Sequence, residues 1–69
     1  MRISARNVLS GKVLRITEGS VNSEVVIEIA PGIEVVSIVT RSSVDELGLK
    51  VGGQAYAVIK ASNVMLGVD

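Results

Sequence analysis

Two short segments near opposite ends of the sequence combine a cationic side chain with hydroxyl, amide and small residues. Residues 4–9 are Ser-Ala-Arg-Asn-Val-Leu, and residues 60–66 are Lys-Ala-Ser-Asn-Val-Met-Leu. Each segment places a cation, Arg6 or Lys60, beside further hydrogen-bond donors at the edge of an apolar run. Charge-assisted hydrogen bonds to an ionised acceptor are roughly twice as strong as neutral ones. The pattern therefore indicates an anion pocket built from donors rather than from metal ligands.

A glycine-containing turn could add to such a pocket. Gly19 and Ser20 lie among turn residues and could direct backbone N–H groups at an anion. The alternative is that the Ser and Asn residues of all these segments only cap strand ends and form turns, as these residue types commonly do. From composition alone, this structural role is the better explanation.

The residue types argue against catalysis and against a bound metal. The chain has no Cys and no His, which removes disulfides, thiolate and imidazole ligands, and proton transfer by imidazole. Structural zinc is effectively excluded. Asp45 and Glu46 are adjacent acids, but a helix start favours acids for electrostatic reasons alone. We expect neither an enzyme nor a cofactor-binding protein.

Charge and aromatic content argue against nucleic-acid and membrane partners. Seven Lys and Arg residues balance seven Asp and Glu residues, and Tyr56 is the single aromatic residue. Single-strand binding depends on a basic groove and on base stacking, which contributes about 1–3 kcal/mol per base. No apolar run approaches the roughly 20 residues that span a bilayer, and no signal peptide is visible. The sequence predicts a cytoplasmic protein.

The size and the apolar content together predict self-association. A chain of 69 residues is expected to form one domain over residues 1–69, and 48% of its residues are apolar. A domain of this size buries only about 60% of the surface that its unfolded chain exposes. Surplus apolar surface on a small protein usually marks an interface, so we expect an oligomer.

The apolar periodicity predicts strands in the first half of the chain. Residues 8–17 alternate as one long strand bent at Gly11, with Val13 and Arg15 on one face and Ile16 on the other. Residues 24–30 form a second strand and residues 33–40 a third. Pro31-Gly32 between them fits a tight turn, so these two strands should form a hairpin.

The second half of the chain predicts a helix and two further strands. Residues 41–48 form a short helix, with Ser43 and Glu46 as a capping box and Gly48 as its end. Residues 54–60 form a fourth strand and residues 64–68 a short fifth. The predicted fold is all-β: a five-stranded OB-type barrel with one short helix between strands 3 and 4.

Five segments together resemble a known family, namely residues 4–7, 11–13, 19–25, 43–49 and 57–65. They resemble the Mop or TOBE domain of the molbindins, small cytoplasmic molybdate-binding proteins, in one register over nearly the whole chain. The resemblance implies an OB-type fold and a homohexamer arranged as a trimer of dimers. It also implies molybdate or tungstate as the ligand, bound at pockets between subunits.

The resemblance assigns oxyanion contacts to three segments of this sequence. They are the segment near the N-terminus, the Gly-rich turn after the first strand, and the Lys-Ala-Ser segment near the end. The residues are Ser4, Ala5, Arg6, Gly19, Ser20, Val21, Asn22, Lys60, Ala61 and Ser62.

The function expected from the resemblance is storage or homeostasis of molybdate or tungstate. A first alternative is a TOBE-type assembly or regulatory module without a storage role, since such domains also resemble appendages of transporter ATPases and repressors. The initial Met favours a stand-alone protein over that alternative. A second alternative, an OB module that binds nucleic acid, would show salt-dependent binding to single strands. An enzyme ranks last.

Overall fold

The computed structural model describes all of residues 1–69 and contains one antiparallel sheet of four strands. The elements in chain order are β1 (Asn7–Glu18), β2 (Asn22–Ala30), β3 (Ile33–Thr40), the helix α1 (Arg41–Leu47) and β4 (Gln54–Ile59). The strands lie in the order β3-β2-β1-β4, so β3 and β4 are the two edges. This mostly β, OB-like half-barrel, with a short helix after its third strand, confirms the predicted class in its main features. No helix is long and apolar enough to cross a membrane.

The predicted fifth strand is wrong. Residues 64–68 form neither strand nor helix. Within this stretch the one backbone hydrogen bond runs from the Val64 N–H to the carbonyl oxygen of Ala61, at 3.2 Å. A strand requires a neighbouring strand that pairs with its backbone. This segment has no such neighbour within its own chain.

Midway along the strand β1, the alternation of core-facing and exposed side chains shifts by one residue, which the sequence pattern did not predict. Val13 pairs with Ile27 of β2 and Arg15 pairs with Val26, so one residue of β1 is left over as a β-bulge. A bulge shifts the phase of the side chains. The prediction that Arg15 shares the face of Val13 is therefore wrong: Arg15 is exposed, whereas Ile16 packs against the core.

Glycine is required at the predicted bend of β1. A Cβ atom on Gly11 would lie 2.8 Å from the carbonyl oxygen of Glu28. The close approach of β2 therefore excludes a side chain at this point of β1.

The glycine positions at the β2–β3 hairpin turn and at the end of the helix were predicted correctly. The hairpin between β2 and β3 turns at Pro31-Gly32, where Gly32 has a φ of 76°. Helix α1 ends at Gly48, which has a φ of 64° and donates its N–H to the carbonyl oxygen of Asp45 at 3.1 Å. Both positions need the left-handed backbone that glycine adopts without steric cost.

The start of the helix differs from the prediction. The N-cap is Thr40, whose hydroxyl accepts a hydrogen bond from the Ser43 N–H at 3.1 Å. The predicted capping box of Ser43 and Glu46 is therefore wrong, because Ser43 already lies within the helix. Thr40 serves both as the last residue of β3 and as the cap of α1, since the N-cap keeps an extended backbone.

The core is small and lies on the concave face of the sheet. It consists of Val13, Val25, Ile27 and Val44, the last of which anchors the helix. Only 6 of the 69 residues are buried. Most of the aliphatic side chains therefore remain at least partly exposed to solvent.

Candidate functional site

Strand pairing brings the two similar segments of the sequence together. Asn7, at the start of β1, pairs with Ile59, at the end of β4. The Asn7 side-chain amide also donates to the carbonyl oxygen of Ile59 at 3.2 Å. Arg6 directly precedes β1 and Lys60 directly follows β4, so the register of these strands places both residues at the same end of the sheet. We call residues 4–6 and 60–62 the terminal junction.

The cations of the terminal junction have no carboxylate partner. The ion pairs within the chain are Arg15 with Glu34, at 3.1 Å, and Arg41 with Glu18, at 3.5 Å. Arg6 and Lys60 take part in neither pair, and both are exposed. Their positive charges are therefore available to an anion from solution.

Backbone donors accompany these cations. Residues 61–63 form a single 3-10 turn, in which the Asn63 N–H donates to the carbonyl oxygen of Lys60 at 2.8 Å. The N–H groups of Ala61 and Ser62, at the start of this turn, donate to no group of the chain, as is usual for the first residues of a helix. The N–H groups of Ser4 and Ala5 are free in the same way. The junction thus combines two cations with unpaired N–H and O–H donors.

The second predicted group is the turn between β1 and β2, residues 19–22, which we call the glycine turn. The Gly19 N–H donates to the carbonyl oxygen of Asn22 at 2.8 Å. A Cβ atom on Gly19 would lie 2.6 Å from the same oxygen, so the turn requires glycine. Ser20 and Val21 are exposed, and their N–H groups have no partner in the chain.

The structure does not bring the glycine turn to the terminal junction. The junction lies at the first residue of β1 and the turn follows its last residue, with the 12 residues of the strand between them. At about 3.3 Å per residue, such a strand would be roughly 40 Å long if it were straight, and its bulge shortens it somewhat. The longest dimension of the molecule is 34 Å. One chain therefore cannot place all ten predicted residues around one anion.

The sequence prediction missed a group of polar residues beside the glycine turn. Asn22 pairs with Thr40 across the sheet, and the Arg41 N–H donates to the carbonyl oxygen of Val21 at 3.0 Å. The Thr40 hydroxyl lies 2.8 Å from the Ser43 hydroxyl and 3.1 Å from the Ser42 hydroxyl. The hairpin register could have revealed this neighbourhood, because a turn at residues 31–32 aligns residue 22 with residue 40.

A family model and a relative each match nearly the whole chain. The family model described as the TOBE domain matches residues 3–66. The chain is 54% identical over 69 residues to the probable molybdenum-pterin-binding protein of Haemophilus influenzae, and the match covers 100% of both chains.

Two solved structures with the same fold are similar to this chain over its full length or nearly so. MopII from Clostridium pasteurianum superposes with a TM-score of 0.90 at 48% identity, covering 97% of this chain and 100% of that one. The cytoplasmic molybdate-binding protein ModG, solved with molybdate bound, superposes with a TM-score of 0.94 at 55% identity. That match covers 100% of this chain and 49% of the ModG chain.

Proposed function

The chain belongs to the TOBE-domain family, and on that premise we propose that it binds a tetrahedral dianion, molybdate or tungstate. The activity is binding without a chemical reaction. The names of the relatives support molybdate as the ligand, and the chemistry of the terminal junction supports a doubly charged oxyanion.

The observation that carries this proposal is the pairing of Asn7 with Ile59, which brings the segments that contain Arg6 and Lys60 to the same end of the sheet. Two cations at the same end of the sheet, without carboxylate partners, favour an anion between them, because the attraction of each cation to a dianion outweighs their mutual repulsion. Each charge-assisted hydrogen bond contributes about 1.5–3 kcal/mol. A few such bonds, together with the free N–H groups of the junction, suffice for a specific site.

The site is proposed to form between copies of the chain. The glycine turn and the terminal junction lie at opposite ends of β1. A pocket that uses donors from both regions must therefore take them from two different copies. A homohexamer arranged as a trimer of dimers would supply several such junctions, and its pockets would exclude water from the bound ion.

Selection against sulfate follows from size in this mechanism. Molybdate and tungstate have longer bonds to oxygen than sulfate has. A cage of backbone and side-chain donors shaped for the larger ion leaves the smaller one with long, poorly aligned hydrogen bonds, which weaken steeply. The proposed cellular role is storage or homeostasis of the oxyanion in the cytoplasm.

Isothermal titration calorimetry with molybdate, tungstate and sulfate tests the proposal. We expect saturable heat with molybdate and tungstate, and at least tenfold weaker binding of sulfate. Equal affinity for all three ions, or no heat with any of them, would contradict it.

A further inference from the structure

A size-selective anion site requires donors that hold their positions, and the terminal junction lies where the sheet stops. Residues 4–6 precede β1 and residues 60–62 follow β4, so neither half of the junction belongs to a strand. The last paired residues before it are Asn7 and Ile59. The ends of paired strands open more easily than their middles. Whatever holds this last pair closed therefore also holds the two halves of the junction in place.

One side-chain hydrogen bond closes this last pair. The Asn7 side-chain amide donates to the carbonyl oxygen of Ile59 at 3.2 Å, across 52 positions of sequence. It is the only side-chain hydrogen bond made by residues 4–9 or 60–66. The bond is partly buried, which makes it stronger than a contact in open water. It ties the N-terminal half of the junction to the C-terminal half.

The bond acts on the peptide group at which the C-terminal half of the junction begins. The Ile59 carbonyl and the Lys60 N–H belong to one planar peptide unit, so fixing the oxygen fixes the orientation of that unit. Lys60 is also the N-cap of the 3-10 turn Ala61–Asn63, and no side chain caps that turn. The backbone bonds of the turn join residues 60–64 only to one another. The direction of the turn relative to β1 therefore depends on Asn7.

We propose that Asn7 is a positioning residue that sets the size selectivity of the anion site. This inference rests on the proposed function and adds to it a residue that lies outside the three predicted contact segments. A cage of donors rejects a smaller ion only while the donors cannot close around it. Without the Asn7 bond, the turn that follows Lys60 can move toward the smaller sulfate ion and shorten hydrogen bonds that would otherwise be long and poorly aligned.

Charge and position act differently on the two ions. The charges of Arg6 and Lys60 attract any dianion, sulfate included, with nearly the same Coulomb energy. The positions of the donors distinguish ions by size. A contact that only stabilises the sheet changes neither property, and the chain offers one for comparison. The Gln54 side-chain amide donates to the Ser10 hydroxyl at 2.9 Å and joins the same two strands away from the junction.

The test measures molybdate and sulfate affinities of Asn7→Leu and Ser10→Ala by titration calorimetry, with light scattering to compare the mass of each variant with the unmodified protein. Asn7→Leu replaces the amide by an apolar group of similar size, and Ser10→Ala breaks the matched contact. We expect the ratio of molybdate affinity to sulfate affinity to fall roughly threefold to tenfold in Asn7→Leu, the range that one neutral hydrogen bond contributes. Ser10→Ala should keep the unmodified ratio.

Two further variants of residue 7 separate position from charge and from assembly. Asn7→Gln keeps an amide donor and should retain most of the ratio. Asn7→Asp keeps the shape of the side chain, but an ionised carboxylate cannot donate to the Ile59 carbonyl. Its charge should weaken the binding of both ions, and the ratio should fall as it does in Asn7→Leu. Asn7→Asp replaces Asn7→Leu in the test if the latter does not assemble.

The outcomes distinguish this inference from the proposed function. An unmodified protein that binds both ions equally, or neither, would contradict the proposed function and the inference with it. An unmodified protein that selects molybdate, with an unchanged ratio in Asn7→Leu and Asn7→Asp, would overturn the role of Asn7 alone. An equal fall of the ratio in Ser10→Ala would also overturn that role, because selectivity would then depend on the stability of the sheet in general.

Discussion

The two ends of β1 present hydrogen-bond donors of different kinds. At the terminal junction the donors include two cations, Arg6 and Lys60, which have no carboxylate partner. At the glycine turn the donors are the N–H groups of Ser20 and Val21, and the neighbouring cation, Arg41, already pairs with Glu18 at 3.5 Å. One end therefore offers charge, and the other offers a backbone shape that depends on Gly19.

This difference indicates how the two regions should respond to substitution. A region that acts through side-chain charge loses affinity when the charge is removed but keeps its fold. A region that acts through backbone shape loses its fold locally when a side chain is added. The variants below separate these two behaviours.

The largest effect is expected from removing the charges of the terminal junction. Arg6→Ala and Lys60→Ala should each weaken molybdate binding by roughly tenfold to a hundredfold, because each removes a charge-assisted hydrogen bond. Titration calorimetry measures the affinity, and light scattering should show unchanged assembly. Lys12→Ala, which removes an exposed cation from the middle of β1, is the control and should bind normally. Loss of assembly in the first two variants would show that these side chains are structural.

A smaller effect is expected from adding a methyl group at the glycine turn. Gly19→Ala places a Cβ atom 2.6 Å from the carbonyl oxygen of Asn22, so the turn must shift. Overpacking of this kind costs about 1–3 kcal/mol. Urea denaturation at matched protein concentration measures the loss. Gly67→Ala, where the new atom meets nothing, should change stability by less than about 0.5 kcal/mol. Equal stability of the two variants would disprove the role given to Gly19.

The smallest effect is expected from breaking the ion pair of Arg41 with Glu18. The ion pair of Arg41 with Glu18 is exposed, and such pairs contribute about 0–1 kcal/mol. Glu18→Gln should therefore leave the melting temperature nearly unchanged. It should strengthen molybdate binding a few-fold if the glycine turn contacts the ion, because a free guanidinium then lies beside it. Glu34→Gln frees Arg15 on the outer face of the sheet and should not alter binding. If the two variants bind molybdate with the same affinity, the glycine turn does not contact the ion.

Local signals made much of the fold predictable from the sequence. The third strand, the turn at Pro31-Gly32 and the helix end at Gly48 each depend on residues that are close in the chain. The bulge in β1 was missed because both faces of that strand carry aliphatic residues, so alternation alone cannot show the change of phase. Thr40 was missed as the cap because it also ends a strand.

The features that could not be predicted depend on contacts distant in the sequence or outside the chain. The similarity between residues 4–9 and 60–66 marked both halves of the terminal junction, but only the pairing of Asn7 with Ile59 shows that they lie at the same end of the sheet. The separation of the glycine turn from the junction follows from the length of β1. Residues 64–68 have the alternation of a strand, and the structure shows that a pairing edge for them is missing from their own chain.

The central claim is that an ion site is complete only when copies assemble, because its donors come from two different chains. Native mass spectrometry with and without molybdate tests this claim most directly. We predict that molybdate appears exclusively on particles with two or more chains, and that single chains of 7.2 kDa carry none. Molybdate retained by single chains would contradict the account.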